Sequence, residues 1–121
     1  MSNRVATSIA AGLGFLAVAL GAFGAHGLKE TLLQNGTLAI WEKAVLYHSI
    51  HMVMLYVLAQ RRPVMTGAYL SFLVGILVFS GSLYVLAVTN LKWLGAITPI
   101  GGVSFLIGWA WLAICPGKAE R

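Results

Sequence analysis

Four long stretches of this chain carry no charged side chain: residues 5–25, 44–60, 63–91 and 93–117. Every lysine, arginine and glutamate stands between them or beyond them. A helix needs roughly 20 mostly apolar residues to cross the hydrocarbon core of a bilayer. Inside that core the backbone must satisfy its own hydrogen bonds, which a helix does without help from a second segment. The pattern therefore predicts an all-α chain of four membrane-crossing helices forming one domain over residues 1–121. Composition agrees. The chain is 60% hydrophobic and 9% charged, whereas a soluble domain carries about 25% charged residues to keep its surface in water.

The net charge of +5 does not mark a nucleic-acid binder. The basic residues sit at the ends of apolar runs rather than on one face, where they report membrane topology. Cys115 is the single cysteine, which excludes an internal disulfide and a cysteine-rich zinc site. The first apolar run is longer than the h-region of a cleavable leader and is read as a span.

Taken in order, the first span is expected over Arg4 to Ala25. Its small residues Ala10, Gly14, Ala17, Gly21 and Gly24 are spaced four and three apart, so they share one side of a helix. In lipid such a seam lets two backbones approach closely. Gly24-Ala25-His26-Gly27 ends this span, and Leu28 to Thr37 reads as a short interfacial helix stopped at Asn35-Gly36. The second span is expected over Leu38 to Gln60, closed by Arg61-Arg62-Pro63. The third runs over Val64 to Val88, with a small seam at Gly67, Ser71 and Gly75. The fourth runs over Leu91 to Cys115, and Pro99 followed by Gly101-Gly102 predicts a kink or an unwound stretch inside it. Trp41 and Lys92-Trp93 suit the headgroup level.

An even number of spans puts both termini on one side. That side gathers Arg4, Arg61, Arg62, Lys118 and Arg121; the other gathers Lys29, Lys43 and Lys92. The excess places both termini in the cytoplasm of an inner membrane.

The most polar of the four helices is the second, which reads WEKAVLYHSIHMVMLY from Trp41 to Tyr56. His48 and His51 lie one turn apart on the face of Ala44 and Leu55, about 9 and 14 Å deeper than Glu42 at 1.5 Å per residue. Ser80, Ser82 and Tyr84 fall in the outer half of the third span, and Thr98 in the outer half of the fourth. His26 ends the first. All four helices thus deliver polar groups to the outer half, against an inner half expected to be almost purely aliphatic.

An ionisable residue inside a membrane helix is a functional hypothesis by default. Here it stands level with a structural one, in which each histidine bonds a neighbour and fixes packing. The first functional reading is an outward-facing polar pocket that binds or passes protons or a small polar solute, lined by His26, Glu42, Tyr47, His48, His51, Ser80, Ser82, Tyr84 and Thr98. The alternative is a non-catalytic accessory or assembly subunit of a larger membrane complex. Metal or haem ligation is disfavoured, because no cysteine or second carboxylate completes a first shell and deep histidines occur on one helix alone. No cofactor is expected. An enzyme is not expected either: aspartate is absent altogether, and no H-E-x-x-H occurs. The expected partners are the lipid bilayer and either further copies of the chain or a larger membrane complex, with no nucleic acid.

The segments GAFGAHGLK at 21–29, WEKAVLYHSIHMV at 41–53, FSGSLYVL at 79–86 and ITPIGGVSFLIGW at 97–109 together resemble domain-of-unknown-function family 423. These are small bacterial inner-membrane proteins, similar also to animal transmembrane protein 256. The resemblance covers almost the whole chain. It implies four spans and maps the family pattern onto Gly24 to Gly27, onto Trp41, Ala44, Tyr47 and His51, onto Ser80, Gly81, Ser82 and Tyr84, and onto Thr98, Pro99, Gly101 and Gly102. His48 departs from it, because many relatives have glutamine there; a lost ligand would break a chelate, which further disfavours a metal. The resemblance implies no settled activity.

Overall fold

The protein is described here by a computed structural model, which places residues 1–117. Lys118, Glu120 and Arg121, which contributed to the charge count above, lie outside the described residues. The described chain is helical, without a strand. Its elements are α1 (Asn3–Ala25), α2 (Lys29–Asn35), α3 (Leu38–Ala59), α4 (Thr66–Gly75), a π turn (Ile76–Ser80), α5 (Gly81–Thr89), a 3-10 turn (Lys92–Ala96) and α6 (Thr98–Ile114). Three helical segments are long and apolar enough to cross a membrane: Asn3–Ala25, Thr66–Thr89 and Lys92–Ile114. The last two each run through an irregular turn. The fourth long segment, α3, has 22 residues but is less apolar, because it carries Glu42, Lys43 and both deep histidines.

The helix ends follow local chemistry. Ser2 caps α1 by accepting a hydrogen bond from the Val5 N–H, filling one of the orphan donors of a first turn. α2 stops at Gly36, whose φ of 68° closes the helix in the left-handed conformation glycine adopts without strain. α5 stops at Asn90, with φ 61° and its N–H bonded to Leu86 O; asparagine is among the few other residues that tolerate this region. The irregularity expected near Pro99 lies just before it: the 3-10 turn Lys92–Ala96 interrupts the span, and the helix begins anew at Thr98 with the proline in its first turn. A first-turn proline lacks an N–H that would have no partner there anyway.

α3 and the continuous α4–π–α5 segment form the centre. α1 packs along α3, and α6 packs along α4 and the π turn. The α1 seam faces α3: Ala10 and Ala17 are buried, and Gly14, Gly21 and Gly24 meet Met52, Val45 and Trp41. α4 with the π turn after it interlocks differently with α6, by exchange of glycines and rings. Gly67 receives Trp111, Phe72 enters at Gly108, Gly75 receives Phe105, and Phe79 lies against Gly101. A Cβ built on any of these four glycines would come within 2.6 Å of its neighbour, closer than real Cβ atoms approach. With no water to expel between helices in lipid, such close packing is what drives association.

α2 lies across one end and is fastened to the end of α5. Asn35 Nδ2 donates to the carbonyls of Ala87 and Val88, both at 3.1 Å, and Thr37 Oγ1 donates to Ala87 O at 2.6 Å. At the other end Asn3 Nδ2 donates to Ala59 O and Arg61 O, and Arg61 donates to Pro116 O. That end is less aliphatic than its sequence implied. The Tyr69 hydroxyl bonds Ala6 O at 2.6 Å and Ser104 bonds Ser71 O at 2.7 Å, so polar side chains join helices at both ends.

Candidate functional site

The two histidines of α3 sit one turn apart, and the helix presents both to its neighbours; both are buried. Each uses both ring nitrogens. His48 Nε2 lies 2.9 Å from Leu13 O on α1. A carbonyl only accepts, so this nitrogen carries the proton. His48 Nδ1 lies 2.8 Å from the Tyr84 hydroxyl on α5, and in the neutral ring it accepts from that hydroxyl. One imidazole therefore joins three helices.

His51 is set the other way round. Trp109 on α6 donates its indole N–H to His51 Nε2 at 3.0 Å, and indole has no acceptor role. Nε2 must therefore be bare, and Nδ1–H donates to Tyr47 O at 2.7 Å. His51 is neutral in this arrangement, and a neutral His48 holds the opposite tautomer. The surroundings of His51 are aromatic. Phe105 stacks on it with centroids 3.7 Å apart and planes 13° apart, Phe72 lies 5.4 Å away, and Tyr47 covers Phe79 at 4.7 Å. Rings fill the space between α3 and α6.

The remaining candidates are used in the same manner. Ser80 is buried, and its hydroxyl donates to Ala44 O at 2.8 Å. The π turn inserts an extra residue into the helix and sets the register at which Ser80 meets α3. Ser82 and Thr98 hydroxyls pair at 2.7 Å, joining α5 to α6. Tyr84 packs on Trp41, centroids 4.8 Å apart, and Trp41 donates to Leu20 O at 3.0 Å. His26 is exposed and ends α1 through its backbone N–H, bonded to Phe23 O. Glu42 is exposed and lines an open groove of about 360 Å³ with Gly21, Val45, Leu46 and Ser49. Tyr47 is 37% exposed.

The nine residues are thus brought near one another in part, as links between helices. His48 with Tyr84, and Ser82 with Thr98, are in direct contact; Tyr47 supplies the carbonyl that orients His51; Glu42 and His26 stand apart at the surface. No buried polar side-chain atom among the described residues lacks a hydrogen-bond partner. No group of three histidine, cysteine, aspartate or glutamate side chains among them converges as a metal site would. Trp109, Phe105, Leu13 and Phe72 complete the surroundings of the histidines and were not anticipated. The carbonyl of Leu13 leaves no trace in a sequence. The rings had a signal: glycines and aromatics are interspersed at spacings of a helical turn along 67–79 and again along 101–111.

Comparison with known proteins gives the chain its place. A family model described as "Protein of unknown function (DUF423)" matches residues 20–102. The UPF0382 membrane protein YwdK of Bacillus subtilis is 46% identical over 110 residues, covering 85% of this chain and 88% of the relative. A UPF0382 membrane protein of Staphylococcus haemolyticus is 44% identical over 108 residues, covering 85% and 87%. The UPF0382 inner membrane protein YgdD of Escherichia coli K12 is 39% identical over 125 residues, covering 100% and 95%. No solved structure matches. With apolar helices able to span and relatives named for the membrane, the chain is a small membrane protein, and it belongs to the DUF423 family.

Proposed function

We propose that this protein is a non-catalytic, structural subunit of the inner membrane, built to hold a fixed helical surface rather than to pass or transform a solute. In this reading all four long segments cross as a bundle, α2 lies at the outer interface, and both termini are cytoplasmic. The observation that carries it is the internal use of every buried polar side-chain atom among the described residues. His48 and His51 spend both nitrogens on helix contacts, and Ser80, Ser82 and Thr98 are likewise bonded to neighbouring helices. A relay or binding pocket needs polar atoms turned to water or to a ligand, and buried groups without a partner are the usual mark of one. Apart from His26, Glu42 and the edge of Tyr47, what the helices leave exposed along their lengths is largely apolar. Phe15 and Val18 on α1, and Ile100, Leu106 and Ile114 on α6, stand out from the bundle, as surfaces for lipid or for another membrane protein.

Purified protein reconstituted in liposomes with an entrapped pH dye tests this against the outward-pocket reading. Proton flux no greater than that of empty liposomes is expected. Flux above that background, abolished in His51→Ala, would establish the pocket in its place.

A further inference from the structure

We propose that the groove between α1 and α3 is a binding site for a phospholipid with a primary-amine headgroup, whose ammonium pairs with Glu42. The proposal rests on α3 crossing the bilayer, as inferred above, and otherwise stands on its own geometry. The groove has a volume of about 360 Å³ and is lined by Gly21, Glu42, Val45, Leu46 and Ser49. Positions 42, 45, 46 and 49 are spaced i, i+3, i+4 and i+7, so they form a single stripe of α3. Gly21 supplies the opposite wall. A Cβ there would meet only Val45 Cγ1, at 3.6 Å, so the glycine is not demanded by helix packing, as Gly24 against Trp41 is. Its missing side chain leaves the groove open.

The stripe is graded in depth. Glu42 lies in the first turns of α3, beside Trp41 at the headgroup level. Val45 and Leu46 follow, and Ser49 stands about 10 Å below Glu42 at 1.5 Å per residue. A diacyl phospholipid presents its groups in a matching order: charged headgroup, then the ester region, then chains. The carboxylate selects an ammonium, the serine hydroxyl is placed to donate to an ester carbonyl, and the apolar wall takes the start of a chain. Charge decides the class. The same end of the molecule carries Lys29, Lys43 and Lys92, which attract anionic lipid in general, but Lys43 projects about 100° around the helix from Glu42. Among the residues that line the groove, Glu42 is the one that carries a charge. The groove fits phosphatidylethanolamine better than phosphatidylglycerol, which lacks a cation, or phosphatidylcholine, whose quaternary nitrogen has no N–H to donate.

Native mass spectrometry of the full chain released from nanodiscs with equal parts of the three lipids is the test. The wild type should retain phosphatidylethanolamine in preference to both others. Glu42→Gln, at an exposed position that leaves the fold intact, should lose that preference by about two- to five-fold, the size of an exposed ion pair. Gly21→Leu, which fills the groove while leaving the carboxylate, should lose it as well. An equal retention of the three lipids by the wild type, or an unchanged preference in Glu42→Gln, overturns the proposal. If α3 does not cross, labelling of cysteines placed at Lys29 and Gln60 finds both on one side of the membrane, which separates that failure from failure of the site.

Discussion

His51 is held by a donor that cannot reverse its role, and this makes Trp109 the residue on which the α3–α6 contact turns. Trp109→Phe keeps most of the ring but leaves the buried Nε2 bare. An unsatisfied buried acceptor costs about 1–3 kcal/mol, so the variant is expected to unfold at a lower temperature in detergent, read from the loss of helical signal on heating. His48 behaves differently. The resemblance to the family places glutamine at this position in many relatives. A glutamine amide can donate to Leu13 O from its NH2 and accept from Tyr84 with its oxygen. His48→Gln should therefore keep stability near that of the wild type, whereas His48→Leu, which leaves the Tyr84 hydroxyl and the Leu13 carbonyl without this partner, should fall below it. A histidine that worked by gaining and losing a proton would not be replaceable in this way. The heating experiment on the two variants checks the packing role, and proton flux in liposomes with His48→Gln checks that no proton step depends on the imidazole.

At the scale of elements, the glycines divide into two kinds. Gly101 faces the backbone of Phe79, with a Cβ placed 2.3 Å from its nitrogen, and a backbone cannot move aside as a flexible side chain can. Gly12 faces open space. Gly101→Ala is expected to destabilise by about 1–3 kcal/mol, as overpacking does, and Gly12→Ala to leave stability unchanged or slightly raised. Thermal unfolding of the pair in one detergent checks the contrast, and equal effects would show that the contact of the π turn with α6 tolerates separation. Much at this scale was legible beforehand. The boundaries of α1 and α3 follow from where charge and glycine stop the apolar runs. The seam on α1 was readable because a three-and-four spacing needs no partner to define it. The fourth span, expected over Leu91 to Cys115, runs over Lys92–Ile114, but where α6 begins within it was not legible, because a Thr-Pro pair reads equally as a kink or as a helix start and the preceding 3-10 turn has no strong sequence mark.

For the whole molecule, the terminal end carries Arg4, Arg61 and Arg62 among the described residues, and the α2 end carries Lys29, Lys43 and Lys92. In intact cells a membrane-impermeant thiol reagent should label a cysteine placed at Lys29 or Lys92 and spare Cys115, which is exposed at the terminal end. The opposite pattern would invert the orientation. The number of polar groups was legible from the sequence, but their use was not. Composition places histidines, serines and tyrosines at a depth, yet whether they surround a space or bind one another depends on side-chain directions set by long-range contact, such as Ser80 with Ala44. The reciprocal fit of α4 and α6 has a consequence for how the family can vary. Each ring on one rod is accommodated by an absence on the other, so neither rod can drift without its counterpart. A chimaera that imports α6 alone from a distant relative would bring bulges to places already full, whereas one that imports α4, the π turn and α6 together would carry its own vacancies with it.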